Sequence, residues 1–273
     1  MRKLLFSLAG LTALMVFVFS CQKQSGNKQT PDNTLSTDVL AKIKALGFGT
    51  DGVIKQDNGY LVEGDIVLTN ELLNSVPDQS LLRIAGDEQY RTTNLVTGLP
   101  RTITIKVVNL GTAFVSGTDT AIARYNARGL RLHFQRVTSG SASITIKGFN
   151  QGPSGGYITL GSSGFPSGGN PYNSIMMNTN AQAYGSNPNV LYVGSVIQHE
   201  LGHCIGFRHT DYMNRAYSCG GSAVNEGAST VGAILIPGTP SGPDANSWML
   251  ACSNGGNRTF NANDITALNY LYH

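Results

Sequence analysis

Three of the five histidines of the chain fall in one short segment, together with a glutamate and a glycine. His199 and His203 are four residues apart, Glu200 follows His199, and Gly206 precedes His209 by three residues. Positions four apart lie on one face of a helix, so His199 and His203 can both direct an imidazole nitrogen at one metal ion. Glu200 can then act as a general base without being a ligand. The spacing predicts a catalytic metal site on a helix.

The glycine and the third histidine complete this site. Gly206 can adopt a positive φ and end the helix, so that the chain turns back and His209 approaches the same ion. Three neutral imidazoles leave a fourth coordination position open for water, as in catalytic zinc sites. We therefore expect one catalytic Zn²⁺, which lowers the pKa of its water toward about 7 and polarises a carbonyl. Glu200 would take a proton from that water and deliver it to the leaving amine.

Other polar residues near the motif have open interpretations. Asp211 either receives the second N–H of a ligand histidine or serves as a loop or capping carboxylate. His133, in a predicted strand, and His273, at the terminus, are expected to have no part in the site.

The first residues are typical of an export signal. Residues 1–20 contain Arg2, Lys3 and an apolar run, and the small residue before Cys21 resembles a bacterial lipobox. We expect Cys21 to be a lipid anchor on a flexible tether over residues 21–36, although an ordinary signal peptide with a chance cysteine stays open. The chain is then an exported lipoprotein of the bacterial cell envelope, at the outer membrane or cell surface, or is secreted after processing.

An oxidising compartment permits disulfides among the remaining cysteines. Cys204 lies in a helical stretch and is expected to be a buried thiol, whereas Cys219 and Cys252 lie in loops rich in Gly, Ser and Asn. This context favours a Cys219–Cys252 bond, but the sequence alone allows three pairings.

Composition excludes several classes of protein. The 273 residues include 33 glycines, only 13% are charged, and the net charge is +3. The low charge and high glycine content disfavour a coiled coil. The 41% hydrophobic fraction disfavours a disordered protein, and the small net positive charge disfavours a nucleic-acid-binding protein. Beyond the leader, no segment reaches about 18 apolar residues, so no other membrane contact is expected.

Two blocks of elements follow the tether. Residues 37–97 contain a predicted helix (37–47), a strand (60–69) and helical turns (71–76), and this block is expected to lean on the second. The second block has a strand, a helix and two strands, which favours a mixed sheet with helices. Their predicted ranges are 101–110, 119–127, 130–137 and 142–149, followed by strand candidates at 157–160 and 174–178 within long loops.

The string HELGHCIGFRHTD resembles the metzincin zinc metallopeptidases, and most nearly the bacterial HEIGH-motif metallopeptidases. Met249, after Ser247 and Trp248, is similar to the family's methionine turn, and residues 260–272 resemble its closing helix. The resemblance implies an α+β catalytic domain over 98–273, with a mixed, mostly parallel twisted sheet, an active-site helix and a methionine turn. It also implies that substrates bind extended along an edge strand.

A weaker resemblance lies in the first block. The run Val62, Glu63, Gly64, Asp65, Ile66 is similar to a motif of astacin propeptides whose aspartate fills the open metal position. It implies that residues 37–97 are a propeptide-like segment and Asp65 a latency ligand; a simple Gly-Asp turn is the alternative. Ala251 stands two places beyond Met249, where astacins have a tyrosine ligand, so a fifth ligand is not expected.

Together these features predict a zinc metalloendopeptidase that hydrolyses peptide bonds of extended protein or peptide substrates through a metal-activated water. We expect a monomer. Two alternatives use the same residues: an envelope-anchored binding or adhesin lipoprotein with a vestigial zinc site, and a metal-dependent deacylase of non-peptide amides.

Overall fold

A computed structural model describes residues 35–74, 89–223, 225–226, 232–240 and 242–273. The predicted signal (1–20), the anchor Cys21 and most of the tether lie outside these residues. Within the described ranges, no helix combines the length and the apolar character needed to cross a membrane.

The elements alternate between short strands and helices. In chain order they are α1 (Thr37–Ala45), β1 (Ile54–Gln56), β2 (Gly59–Val62), β3 (Ile66–Thr69), α2 (Asn70–Leu73), β4 (Tyr90–Arg91), β5 (Arg101–Val107), α3 (Thr112–Asn126), β6 (Leu132–Arg136), β7 (Ile144–Phe149), β8 (Gly161–Ser162), β9 (Ser174–Asn178), α4 (Ala181–Tyr184), α5 (Val190–Cys204), α6 (Ala216–Cys219), β10 (Ile234–Leu235) and α7 (Ala262–Tyr272).

A five-stranded sheet forms the centre of the larger part, in the order β6-β5-β7-β9-β8. Its first four strands are parallel, and only β8 pairs antiparallel, with β9. Alternating side chains such as Ile103, Ile105, Ile144 and Ile146 are fully buried on one face, as expected for strands covered by helices. The predicted fold class, α+β with a mostly parallel sheet, is confirmed.

Helices α3 and α5 pack closely against each other beneath this sheet. A Cβ on Gly117 of α3 would lie 2.9 Å from Cγ1 of Val193 on α5, so this crossing requires glycine. Tyr125 of α3 donates a hydrogen bond from its hydroxyl to the carbonyl of Gln198 (2.9 Å). The contact holds α5, which carries the first two motif histidines, against the core.

Three predicted elements differ from the structure. The helix expected at 119–127 begins at Thr112, because Gly111 provides the N-cap conformation and the Thr- and Gly-containing first turns hide the apolar period. The strand expected at 60–69 is a hairpin of β2 and β3, which turns at Glu63 (φ 57°) and Gly64 (φ 90°). Residues 157–160 are not a strand; β8 follows them instead.

The first block has a small hydrophobic core of its own. Buried side chains of α1, β2, β3 and α2 pack together, and Phe165 from the larger part completes the cluster. Helix α1 is capped by Ser36, whose hydroxyl accepts from the Val39 amide (3.3 Å). The predicted helix at 37–47 is therefore confirmed, and the block rests on the larger part as expected.

Candidate active site

Helix α5 positions His199 and His203 one turn apart. The side chain of Asn189 caps the helix by accepting from the Leu191 and Tyr192 amides (2.9 and 3.1 Å). The Nε2 atoms of His199 and His203 lie 3.1 Å apart. The two imidazoles therefore converge on one point, as their spacing predicts.

Gly206 brings the third histidine to the same point. Its φ is 108°, and an added Cβ would lie 2.7 Å from Leu95 Cδ2 and 2.9 Å from the Asn94 oxygen, so only glycine fits. After this reversal, His209 Nε2 lies 3.2 Å from His203 Nε2. Both His203 and His209 are fully buried.

The outer nitrogens of the three rings all face acceptors. Nδ1 of His199 lies 3.0 Å from the Trp248 oxygen, Nδ1 of His203 lies 2.8 Å from the Phe207 oxygen, and Nδ1 of His209 lies 3.1 Å from Glu226 Oε1. A neutral imidazole that donates from Nδ1 has a lone pair on Nε2. Three converging lone pairs cannot hydrogen-bond one another, whereas a cation satisfies all of them. The donor set therefore fits a zinc ion.

Glu226 is a part of this site that sequence reasoning missed. It is buried, and besides His209 it contacts Arg215 Nε (3.0 Å) and Arg208 Nη2 (3.7 Å). Asp211 does not take this position. Its carboxylate accepts from the Ala251 amide (2.9 Å) and the Ser218 hydroxyl (2.6 Å), which is the loop role of the two that the sequence left open.

Glu200 is a residue of α5, and its carboxylate faces the edge strand β8. Its Oε2 accepts a 2.6 Å hydrogen bond from the Ser163 hydroxyl, and a Cβ on Gly161 would lie 2.9 Å from Oε1. Burial and the nearby Asp65 carboxylate raise the pKa of Glu200 well above its ordinary value, while the bond from Ser163 opposes this rise. A raised pKa suits a group that must both accept and release a proton.

Asp65 reaches the three histidines from the first block. Its Oδ2 lies 3.1 Å from His209 Nε2 and 3.4 Å from His199 Nε2. Burial raises the pKa of Asp65, but the charge of His209 and the hydrogen bonds from His199 and His209 hold that pKa well below the ordinary value. Asp65 and the three histidines thus present four donor atoms within 4.8 Å of one another, a geometry that can hold one ion.

The chain around Asp65 occupies the free side of β8. The Ser163 amide donates to the Asp65 carbonyl (2.9 Å), and the Val67 amide donates to the Ser163 carbonyl (2.7 Å), in a parallel bridge. The Thr159 hydroxyl donates to the Gly64 carbonyl (2.9 Å). The first block therefore covers the edge that the sequence predicts for substrate.

Met249 lies in a loop under the metal-binding helix. A Cβ on Gly202 would come within 2.6 Å of the Met249 sulfur, so this loop packs directly on α5. The Met249 carbonyl accepts from the Thr210 amide (3.0 Å). The Cys219–Cys252 disulfide, which is confirmed, ties α6 to the same loop, and Cys204 is a buried free thiol as predicted.

A cleft of about 1000 Å³ opens over this centre. Its walls include α5, the residues around β8, the Met249 loop and the first block. A cleft of this size can take several residues of an extended chain.

Comparison with known families gives one match. A family described as "Dual-action HEIGH metallo-peptidase" matches residues 60–272 of the chain. No curated protein matches the sequence.

Solved structures include similar chains at low identity. Two structures of myroilysin are each 15% identical, have TM-scores of 0.44 and 0.40, and cover 67% and 73% of this chain and 97% of their own. High choriolytic enzyme 1, a hatching enzyme zinc-protease from Oryzias latipes (Medaka fish), is 15% identical with a TM-score of 0.35, covering 62% of this chain and 88% of its own. Likenesses this distant carry no argument about the site.

Proposed function

The chain belongs to the dual-action HEIGH metallopeptidase family, and from this premise we propose that it is a zinc-dependent endopeptidase acting on extended protein or peptide substrates. The family confirms the resemblance seen in the motif and supports a metallopeptidase. The observation that carries the proposal is the convergence of three Nε2 atoms beside Glu200 at the edge of β8.

His199, His203 and His209 would hold the ion through Nε2. When bound, zinc supplies a Lewis acid that polarises a carbonyl and acidifies water. The acceptors on the three Nδ1 atoms orient the rings and keep Nε2 unprotonated. Met249 supports the helix by packing against Gly202.

Glu200 performs the proton transfers. In the proposed reaction its carboxylate takes a proton from the attacking water and then delivers it to the nitrogen of the leaving amine. The Ser163 hydroxyl holds Oε2 (2.6 Å) and so directs the carboxylate. A substitution of Glu200 that leaves the fold unchanged should abolish peptide hydrolysis.

Cleavage inside a chain, rather than at its ends, is favoured by the contacts that the first block makes with the cleft. The tip of its hairpin bonds to the edge on both sides of Asp65, since the Gly64 carbonyl accepts from the Thr159 hydroxyl and the Val67 amide donates to the Ser163 carbonyl. The edge therefore offers hydrogen bonds to residues on either side of the position that faces the histidines. An extended substrate could use the same Ser163 amide and carbonyl once this segment has left.

We also propose that Asp65 keeps the enzyme latent. Its carboxylate shares the histidine cluster and its neighbours fill the edge of β8, so neither water nor substrate could take those places. The propeptide would lie within the propeptide-like segment 37–97. Because Gln89 bonds to Asp264 (2.6 Å) and β4 pairs with β10, residues 89–97 would stay with the catalytic part, and we expect the activating cut within 75–88.

Export and anchoring belong to the proposal as well. The disulfide is compatible with an oxidising compartment, and Cys21, outside the described residues, would carry the lipid. The protein would be a bacterial envelope lipoprotein, or would be secreted after processing. Its partners would be the substrate and, through the lipid, the membrane.

The test compares the chain from residue 22 with its Glu200→Gln variant, before and after a cut within 75–88. Casein and peptide digests are analysed by mass spectrometry, and bound zinc is measured in parallel. We expect chelator-sensitive internal cleavage by the cut wild type, and full zinc content without cleavage in Glu200→Gln. Zinc binding without peptide cleavage in the cut wild type would instead favour the binding lipoprotein, and cleavage of acylated amines alone would favour the deacylase.

A further inference from the structure

Arg258 presents a charge in the cleft that no carboxylate of the described residues contacts. It lines the same cavity as His199 and Glu200, and none of the ion pairs within the described ranges involves it. Its Nη1 donates to a neutral acceptor, the Cys252 carbonyl (3.3 Å). Its side chain is half-buried; burial lowers the pKa of Arg258, and the more distant Asp211 and Asp264 carboxylates offset this only in part. A partly desolvated cation of this kind gains most from an incoming anion.

The position of Arg258 is fixed relative to the reacting centre. Its amide donates to the Ser195 hydroxyl (2.9 Å), and Ser195 precedes His199 by one helical turn, about 6 Å along the axis. An extended substrate advances about 3.3 Å per residue. The guanidinium lines the same cleft, so it can meet a substrate side chain a few residues from the scissile bond.

In the cleft, the charged side chains of the first block are negative, opposite to the charge of Arg258. It contributes Asp51, Glu63 and Asp65 to the cleft wall. The larger part contributes Arg215, which is paired with Glu226, and the unpaired Arg258. When the first block leaves, its three carboxylates leave with it, and the cleft retains a free cation.

We propose that the cleft selects substrates with an acidic side chain near the scissile bond, and that Arg258 determines this specificity. The inference rests on the proposed peptidase function. Aspartate or glutamate would form a charge-assisted hydrogen bond with the guanidinium, whereas asparagine or glutamine would form a weaker neutral one. A lysine at the same place would meet a like charge.

The test uses the full chain with a thrombin recognition sequence in place of residues 79–84, folded first and cut afterwards. Peptide series carry Asp, Asn or Lys at each of three positions on either side of a cleavable bond. Two readouts are taken: kcat/KM of cleavage, and the Kd of the same peptides for a Glu200→Gln background by fluorescence anisotropy. The second readout does not depend on catalysis.

We expect about a tenfold or greater preference for Asp over Asn at one position. Arg258→Gln should remove the preference, Arg258→Lys should retain part of it, and Arg258→Glu should favour Lys. Arg124→Gln is the matched control, because Arg124 also bonds to the Ser195 hydroxyl (3.3 Å) but does not line the cleft. This variant should keep the wild-type preference.

Each outcome decides the proposal. Equal handling of Asp and Asn peptides that are nonetheless cut would overturn the specificity and leave the peptidase function standing. Equal losses for both peptides in Arg258→Gln would assign Arg258 a structural role and overturn the proposal too. A binding preference without any cleavage by the wild type would support Arg258 and contradict the peptidase function, and failure of every peptide to bind would contradict both.

Discussion

Glu226 allows the third histidine to be perturbed without changing its imidazole. Its Oε1 lies 3.1 Å from His209 Nδ1 and 3.0 Å from Arg215 Nε, and its Oε2 lies 3.7 Å from Arg208 Nη2. Glu226→Gln keeps the shape but replaces one oxygen with an NH₂ group and removes the negative charge. His209 Nδ1 then loses either its hydrogen-bond acceptor or the negative charge beside it, and that charge makes the Nε2 lone pair a stronger metal ligand.

The expected magnitude follows from this contact. Loss of an outer partner of a ligand histidine weakens metal binding by about 10–100-fold, equivalent to about 1.4–2.7 kcal/mol. We therefore expect the Kd for Zn²⁺ of Glu226→Gln to rise by that factor. Glu226→Ala is less informative, because it removes one carboxylate contact from the buried Arg208 and the half-buried Arg215, which costs about 3 kcal/mol or more of folding free energy.

The assay is a competitive zinc titration against a chromophoric chelator, with circular dichroism to verify the fold. Asp211→Asn is the matched control: it also removes a buried carboxylate close to His209, but one that contacts Ala251 and Ser218 instead of a ligand ring. A Kd for Glu226→Gln within twofold of the wild type would refute the reasoning. So would an equal loss in Asp211→Asn.

Three further perturbations test the site and the fold. Ser163→Ala removes a bond that lowers the pKa of Glu200, so that pKa should rise, the acidic limb of the kcat/KM–pH profile should move to higher pH, and the maximum should fall by about tenfold. Asp65→Ala should raise peptide hydrolysis by the uncut chain, measured with a fluorogenic peptide, because the fourth donor is removed. Gly206→Ala should destabilise the protein by about 3 kcal/mol in urea unfolding, since a positive φ and a 2.7 Å clash both oppose a Cβ.

Each of these has a contrary outcome. If the acidic limb of the profile does not move in Ser163→Ala, Glu200 is not the group whose ionisation controls proton transfer. If uncut Asp65→Ala keeps the low activity of the uncut wild type, the rest of the first block, and not Asp65, blocks hydrolysis. Gly98→Ala is the control for Gly206→Ala, because Gly98 has a φ of 71° with nothing within 4 Å and should cost only about 1 kcal/mol. Equal costs would show that the close approach at Gly206 contributes nothing.

The local part of the site was predictable because its spacing is set by one helix and one turn. His199 and His203 need only the helical period, and Gly206 needs only its freedom at positive φ to bring His209 back. The Cys219–Cys252 bond was also favoured by loop context. The histidine positions depend on short-range geometry, which the sequence determines directly, whereas the disulfide was favoured because only two of the remaining cysteines lie in loops.

The contacts of the site between residues far apart in the sequence could not be predicted in the same way. Glu226 lies 17 residues beyond His209 in a segment without periodicity, so only folding shows that its carboxylate meets the ring. Ser163 meets Glu200 across 37 residues for the same reason. The hairpin turn at Glu63 was not predicted because apolar residues continue on both sides of it. Helix α3 was predicted too short because Thr118 and Asp119, which lie inside it, are typical of a helix N-terminus.

Zinc X-ray absorption spectroscopy on the uncut chain tests the central claim most directly, since it counts the ligands of the ion. We predict one zinc per chain with three imidazole nitrogens at about 2.0–2.1 Å and one oxygen, which Asp65 would supply. The Asp65→Ala variant should keep all three imidazoles. Fewer than three imidazoles, or a sulfur ligand at about 2.3 Å, would contradict coordination by His199, His203 and His209.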